Sequence, residues 1–85
     1  MSNWKVVSAL PLGPRLLAVR FADGVSGEVE FRESFFFGVF EAIRDPEAFA
    51  EVRCHRGYVE WPGDLDLAPD AMYEAIRKNG RWVLE

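Results

Sequence analysis

Residues 15–31 read RLLAVRFADGVSGEVEF, and the fold turns on how the two halves of this stretch alternate about Asp23-Gly24. Leu17, Val19 and Phe21 share one side of the first half, the period of two that a half-buried strand requires. Val25, Gly27, Val29 and Phe31 share one side of the second half, with Ser26, Glu28 and Glu30 opposite. Asp23 and Gly24 both tolerate positive φ, the condition for a tight hairpin turn. The stretch therefore predicts strands over 15–21 and 25–31 with one dry and one wet face. Toward the N-terminus, WKVVSAL (4–10) is rich in β-branched and aromatic side chains and reads as another strand. PLGP (11–14) is expected to break it, because two prolines and a glycine do not continue a ladder. A three-stranded antiparallel meander thus opens the chain.

Beyond the meander the period changes. Ser34 can cap a helix, and Phe36, Val39, Phe40 and Ile43 follow the i, i+3, i+4, i+7 spacing of a buried stripe. Phe37 would then point the other way, beside Glu41 and Arg44. The competing reading starts the helix only near Gly38, a residue costing about 1 kcal/mol against Ala in a helix interior. The three phenylalanines would then sit on an irregular turn. Asp45-Pro46 restarts the chain as cap and first helical residue, with Phe49 as anchor. VRCH (52–55) and YVEW (58–61) flank Arg56-Gly57 as a second hairpin, Val52 and Cys54 on one face, Val59 and Trp61 on another. PDAMYEAIRKNG (69–80) is the last helix: Pro69 opens it, Asp70 suits its positive end, and Arg77 and Lys78 its negative end. Met72, Tyr73 and Ile76 form its buried stripe and Gly80 stops it. The tail RWVLE is expected to dock or pair, since Trp82 and Leu84 are poor exposed residues. The expected fold class is α+β in two layers. An antiparallel sheet of the meander plus a second hairpin carries two or three short helices, in one domain over residues 1–85.

Composition sets the habitat. Hydrophobic residues make up 49% of the 85 and charged residues 28%, the balance of a globular chain. Seven Phe, three Trp and two Tyr supply the buried area that small domains lack. Fourteen acidic against ten basic residues leave a net charge of −4, which disfavours nucleic acid as a partner for this domain alone. The single Cys54 forms no internal disulfide, so nothing calls for an oxidising compartment. The start, MSNWKVVSAL, lacks the pattern of a secretion signal. The longest apolar run, FFFGVF (35–40), falls far short of the roughly 20 residues of a membrane span. A cytoplasmic protein without membrane contact is expected.

One stretch could hold chemistry. EWPGDLDLAPDAMY (60–73) packs the carboxylates of Glu60, Asp64, Asp66 and Asp70 among turn formers. A calcium loop needs glycine at its sixth position and glutamate at its twelfth; counted from Asp64 these are Pro69 and Ala75. A general acid and base would need a cleft that separates their pKa values. The preferred reading is structural: Gly63 and Asp64 make the turn, Asp66 folds back on backbone amides, and Asp70 sits at the helix start. The alternative is a small metal-dependent hydrolase or ligand-binding protein using Glu60–Asp70. His55 is the only histidine, and its neighbour Cys54 points to the opposite face of a strand. No GxxxxGK or GxGxxG phosphate cradle occurs. Arg77, Lys78 and Arg81 form a small basic patch beside Trp82, read as helix-dipole compensation ahead of a nucleic-acid contact. No catalytic residue, metal or cofactor is assigned.

FADGVSGEVEF, FEAIRDPEAFAEV and YVEWPGDLDLAPDAMY together resemble the bacterial domain-of-unknown-function family 2442. The matching positions are Phe21, Asp23 and Gly24; Ile43, Arg44, Asp45, Pro46 and Phe49; and Trp61, Pro62, Asp66, Leu67, Pro69, Asp70, Met72 and Tyr73. The family's Asn-Gly is replaced by Gly63-Asp64, and Ala68 stands where a capping Ser is common, leaving Asp66 as the substitute cap. The resemblance implies a small α+β domain without established catalytic residues. Its members are often encoded beside another small protein, in a layout like that of toxin–antitoxin pairs, and some carry a helix-turn-helix segment. The expectation is a protein–protein interaction module, partnered by that neighbour or by a second copy. Phe35, Phe37 and Trp82 are its candidate contact surface.

Overall fold

The structure is a computed structural model and describes residues 4–85. The meander forms as β1 (Val6–Gly13), β2 (Leu16–Phe21) and β3 (Ser26–Phe31). The pattern that predicted it is the pattern of burial: Leu17, Val19, Phe21, Val29 and Phe31 are all buried. The chain then makes two 3-10 turns (Glu33–Phe35 and Gly38–Ile43) and a single α-turn, α1 (Pro46–Phe49). A second hairpin follows, β4 (Arg53–His55) and β5 (Tyr58–Trp61), then the short β6 (Leu65–Asp66), α2 (Pro69–Asn79) and β7 (Arg81–Leu84). The expected α+β class holds. The second hairpin belongs to its own three-stranded sheet, ordered β4-β5-β6. The tail pairs as β7, parallel to β3, and completes a four-stranded sheet ordered β1-β2-β3-β7.

Two expectations are corrected. The first concerns PLGP: β1 runs through Pro11 to Gly13 and is not broken there. Phe21 N donates to Val25 O and Phe31 N to Arg15 O, so the odd-numbered residues of β2 direct their backbone groups toward β3. Pro11 stands opposite Leu17, at a position of β1 where an N–H would point away from β2. An edge strand accommodates proline at such a position, and β1 is an edge.

The second concerns the helix expected from Ser34. No α-helix forms there, and Ser34 lies inside a 3-10 turn that has no side-chain cap. Gly38 takes φ +61°, a left-handed conformation that interrupts any helix from Phe36 to Ile43. Phe36 and Ile43 still reach the core, while Val39 is 69% exposed. Phe37 N and Phe36 N bond locally to Phe35 O and Glu33 O, and the Arg44 guanidinium donates to Phe36 O at 2.8 Å. The irregular-turn reading of the three phenylalanines is the one that describes them.

A single cluster of buried side chains joins the two sheets, α1 and α2. The helix α2 sends Met72 and Ile76 into it and stops at Gly80 in the left-handed region. It comes close to β3 because Gly27 has no side chain. A Cβ there would lie 2.5 Å from Gly80 O and 2.6 Å from Ile76 Cγ2. The first of these is backbone and has no rotamer by which to yield. Gly27→Ala is expected to destabilise the fold by about 1–3 kcal/mol, the usual effect of overpacking. It should lower the urea midpoint without changing the slope.

Candidate functional site

The acidic stretch spreads its carboxylates over three elements. Glu60 and Asp66 face each other across β5 and β6, and Glu60 pairs with Arg53 at 3.5 Å. Asp64 follows Gly63 through the turn with φ +64°, and Asp70 lies exposed in the first turn of α2. Asp66 does not fold back onto the helix start: it is exposed at the end of β6, and Ala68 is the N-cap without a side-chain hydrogen bond. The strand holds its carboxylate away from the α2 amides, so Pro69 and Asp70 alone favour that helix terminus. Among the described residues, no three of His, Cys, Asp and Glu gather as a metal-binding group would. His55 is exposed, and the thiol of Cys54 donates to Val6 O at 2.9 Å. Burial pushes that thiol's pKa up, the opposite of activation.

The residues of the three quoted motifs meet elsewhere. The Tyr73 hydroxyl donates to Asp23 Oδ2 at 2.5 Å, and Val25 N donates to Oδ1 of the same carboxylate at 3.0 Å. The Tyr73 ring stands edge-on to Phe21 at 5.0 Å. These contacts tie the first hairpin to α2. Trp61 Nε1 donates to Phe49 O at 2.9 Å, and so ties β5 to α1. Asp45 caps α1 by accepting from Glu47 N at 3.1 Å, with Pro46 as the first helical residue. The hydrogen bond from Tyr73, then that from Val25, lowers the pKa of Asp23. The same bond raises that of Tyr73, because the hydroxyl proton is held by a carboxylate.

Over residues 6–78 the chain matches the family described as Protein of unknown function (DUF2442). The chain belongs to the DUF2442 family. No curated protein and no solved structure matched it. Within this DUF2442 domain, most motif side chains brace the backbone. Ile43, Phe49, Trp61, Leu67 and Met72 are buried, and Asp23, Asp45 and Tyr73 make the bonds just described. Gly24, Arg44, Pro46, Pro62, Asp66 and Asp70 are exposed as well.

The candidate contact residues are placed unequally. Phe35 is half-buried against Phe31 and Phe40, and Trp82, opposite Val29 on the inner side of the sheet, packs on the core. Phe37 is 71% exposed. Val39, across Gly38, stands out with it. Leu10 and Leu12 are also exposed, on the edge strand β1. Reading 11–14 as a break concealed them, although the alternation of β1 runs on through Leu12.

The Asp23–Tyr73 bond has a defined pH window. A lowered Asp pKa stabilises the fold above the ordinary value of 3.8 and loses that contribution as pH falls through the folded value. A raised Tyr pKa stabilises below the ordinary value of 10.0 and loses its contribution as pH rises through the folded value. Urea titrations should therefore show a stability gap between the native chain and Tyr73→Phe that is flat across neutral pH. The gap should close at both the acid and the alkaline extremes. Separately, Trp61→Phe removes the indole hydrogen bond to Phe49 O, which keeps its bond from Val52 N, and should cost about 1 kcal/mol, measured by the same titration at pH 7.

Proposed function

We propose that this DUF2442 domain is a cytoplasmic protein–protein interaction module, acting as the antitoxin-like partner of a small protein encoded beside it. The observation that carries this reading is the pair Phe37 and Val39, 71% and 69% exposed. They stand on a turn that Gly38 permits with its positive φ and that the Arg44 bond to Phe36 O braces. A small protein does not usually display two large apolar side chains side by side on a braced turn unless something covers them. The Arg44 bond holds the base of the turn, which reduces the ordering entropy that would oppose docking. The polar residues, by contrast, are committed to holding backbone or lie apart from one another.

Full burial of an exposed Phe side chain stabilises a complex by about 2 kcal/mol, roughly thirtyfold in affinity. On co-expression, the product of the adjacent gene should co-purify with the native chain. Phe37→Ser should lose it while keeping the native melting temperature. Failure of the neighbour to co-purify with the native chain, or its retention by Phe37→Ser, would remove the reading.

A further inference from the structure

The ground around Phe37 and Val39 is charged, and of one sign. Glu41 and Ala42 are exposed on the same 3-10 turn. The helix α1 packs against that turn and carries Glu47, exposed, in its own first turn. Glu51 follows at the end of the segment, exposed as well. Residues 37–51 thus set the carboxylates of Glu41, Asp45, Glu47 and Glu51 against the single base Arg44.

Two of these charges are already committed to the fold. Asp45 caps α1, and the Arg44 guanidinium is turned back onto Phe36 O. Glu41, Glu47 and Glu51 are left over. Among the described residues, none of their side chains has an ion pair or a hydrogen bond. The glutamates of the sheets are placed otherwise: Glu28, Glu30, Glu33 and Glu60 each have an arginine within 4.0 Å. The surplus of negative charge therefore falls on the segment that also displays the apolar pair.

We infer that the Phe37–Val39 turn docks into an apolar pocket rimmed by lysine or arginine, on a protein other than this chain. Phe37 and Val39 enter the pocket, and Glu41 and Glu47 meet its basic rim. The inference rests on the interaction reading and names the chemistry of its partner. The same charges oppose a second copy. In a two-fold pairing the patch meets itself, so the surplus carboxylates of one copy approach those of the other, at a cost in affinity. Phosphate backbones and anionic lipid surfaces are repelled for the same reason. Charges at a rim act mainly on the rate of association, and salt screens them.

The test measures binding of the neighbouring gene's product to the native chain and its variants, in low salt and in about 1 M salt. Glu41→Gln/Glu47→Gln removes charge without removing a contact of the fold, so it should keep the native melting temperature. It should bind about fivefold more weakly than the native chain in low salt, chiefly through slower association, and equally in high salt. Glu74→Gln, which removes a charge from α2 instead, should bind as the native chain does. Phe37→Ser should lose the product in both salts. Unchanged or tighter binding by Glu41→Gln/Glu47→Gln in low salt, or an equal loss with Glu74→Gln, would sink this inference alone and leave the interaction reading standing. A native chain that sediments as a dimer, dissolved by Phe37→Ser, would overturn it in favour of a second copy. Tighter binding of a single-stranded oligonucleotide than of the product would overturn it too. A product that does not bind the native chain at all removes both readings.

Discussion

Phe31 is the side chain on which the two sheets close. It comes from β3, yet its ring meets Trp61 of β5 edge-on at 5.9 Å and Phe49 of α1 edge-on at 5.1 Å. It also stacks parallel to Phe36 at 5.9 Å. Each partner lies on a different element, so one ring fixes three distances at once. Edge-to-face pairs add about 0.5–1.5 kcal/mol beyond the area they bury. The Trp61 bond to Phe49 O then locks the partners to each other. A short chain with 49% hydrophobic residues thus sets a few large rings at the centre of a core whose other buried members are aliphatic.

The same arrangement explains how much of the fold could be read in advance. Elements whose burial follows a fixed period were legible: the meander, from Leu17 to Phe31, and α2, from Met72 and Ile76. Hairpin turns carried by Asp23-Gly24 and Arg56-Gly57 were legible for the same local reason. The stretch from Ser34 to Ile43 left two readings open, because its phenylalanines serve a nonlocal cluster and their spacing mimics a helix that Gly38 interrupts. Pro11 was misread because its meaning depends on which side of a strand lacks a partner, and that is a property of the sheet. β6 and the parallel pairing of β7 depend on contacts across more than one element and left no periodic trace.

The candidate site divides along similar lines. Asp45 as a cap and the Gly63-Asp64 turn are local effects and were visible in the sequence. The assignment of Asp66 to the start of α2 failed, because two residues of strand hold it off. The meeting of Asp23 with Tyr73 spans 50 positions and only the tertiary structure reveals it. Membership of the DUF2442 family fixes neither chemistry nor partner, since a fold hosts unrelated activities. What this chain adds is a division of labour: polar motif residues brace the frame, and the apolar residues left outside face the surroundings. No helix among the described residues is long and apolar enough to cross a membrane.

The position of β7 has a consequence for the order in which the molecule can assemble. Its pairing joins Glu28 to Arg81 and Phe31 to Leu84, and the Glu28–Arg81 bond closes 53 positions of chain. Until residues 81–84 pair, β3 itself is an open edge of the four-stranded sheet, and that edge borders the ring of Phe31. Contacts of such separation are slow to form because the intervening chain must first be ordered. A partly synthesised or partly refolded molecule therefore exposes β3 to any other strand at hand. By covering β3, residues 81–84 protect the molecule from pairing wrongly.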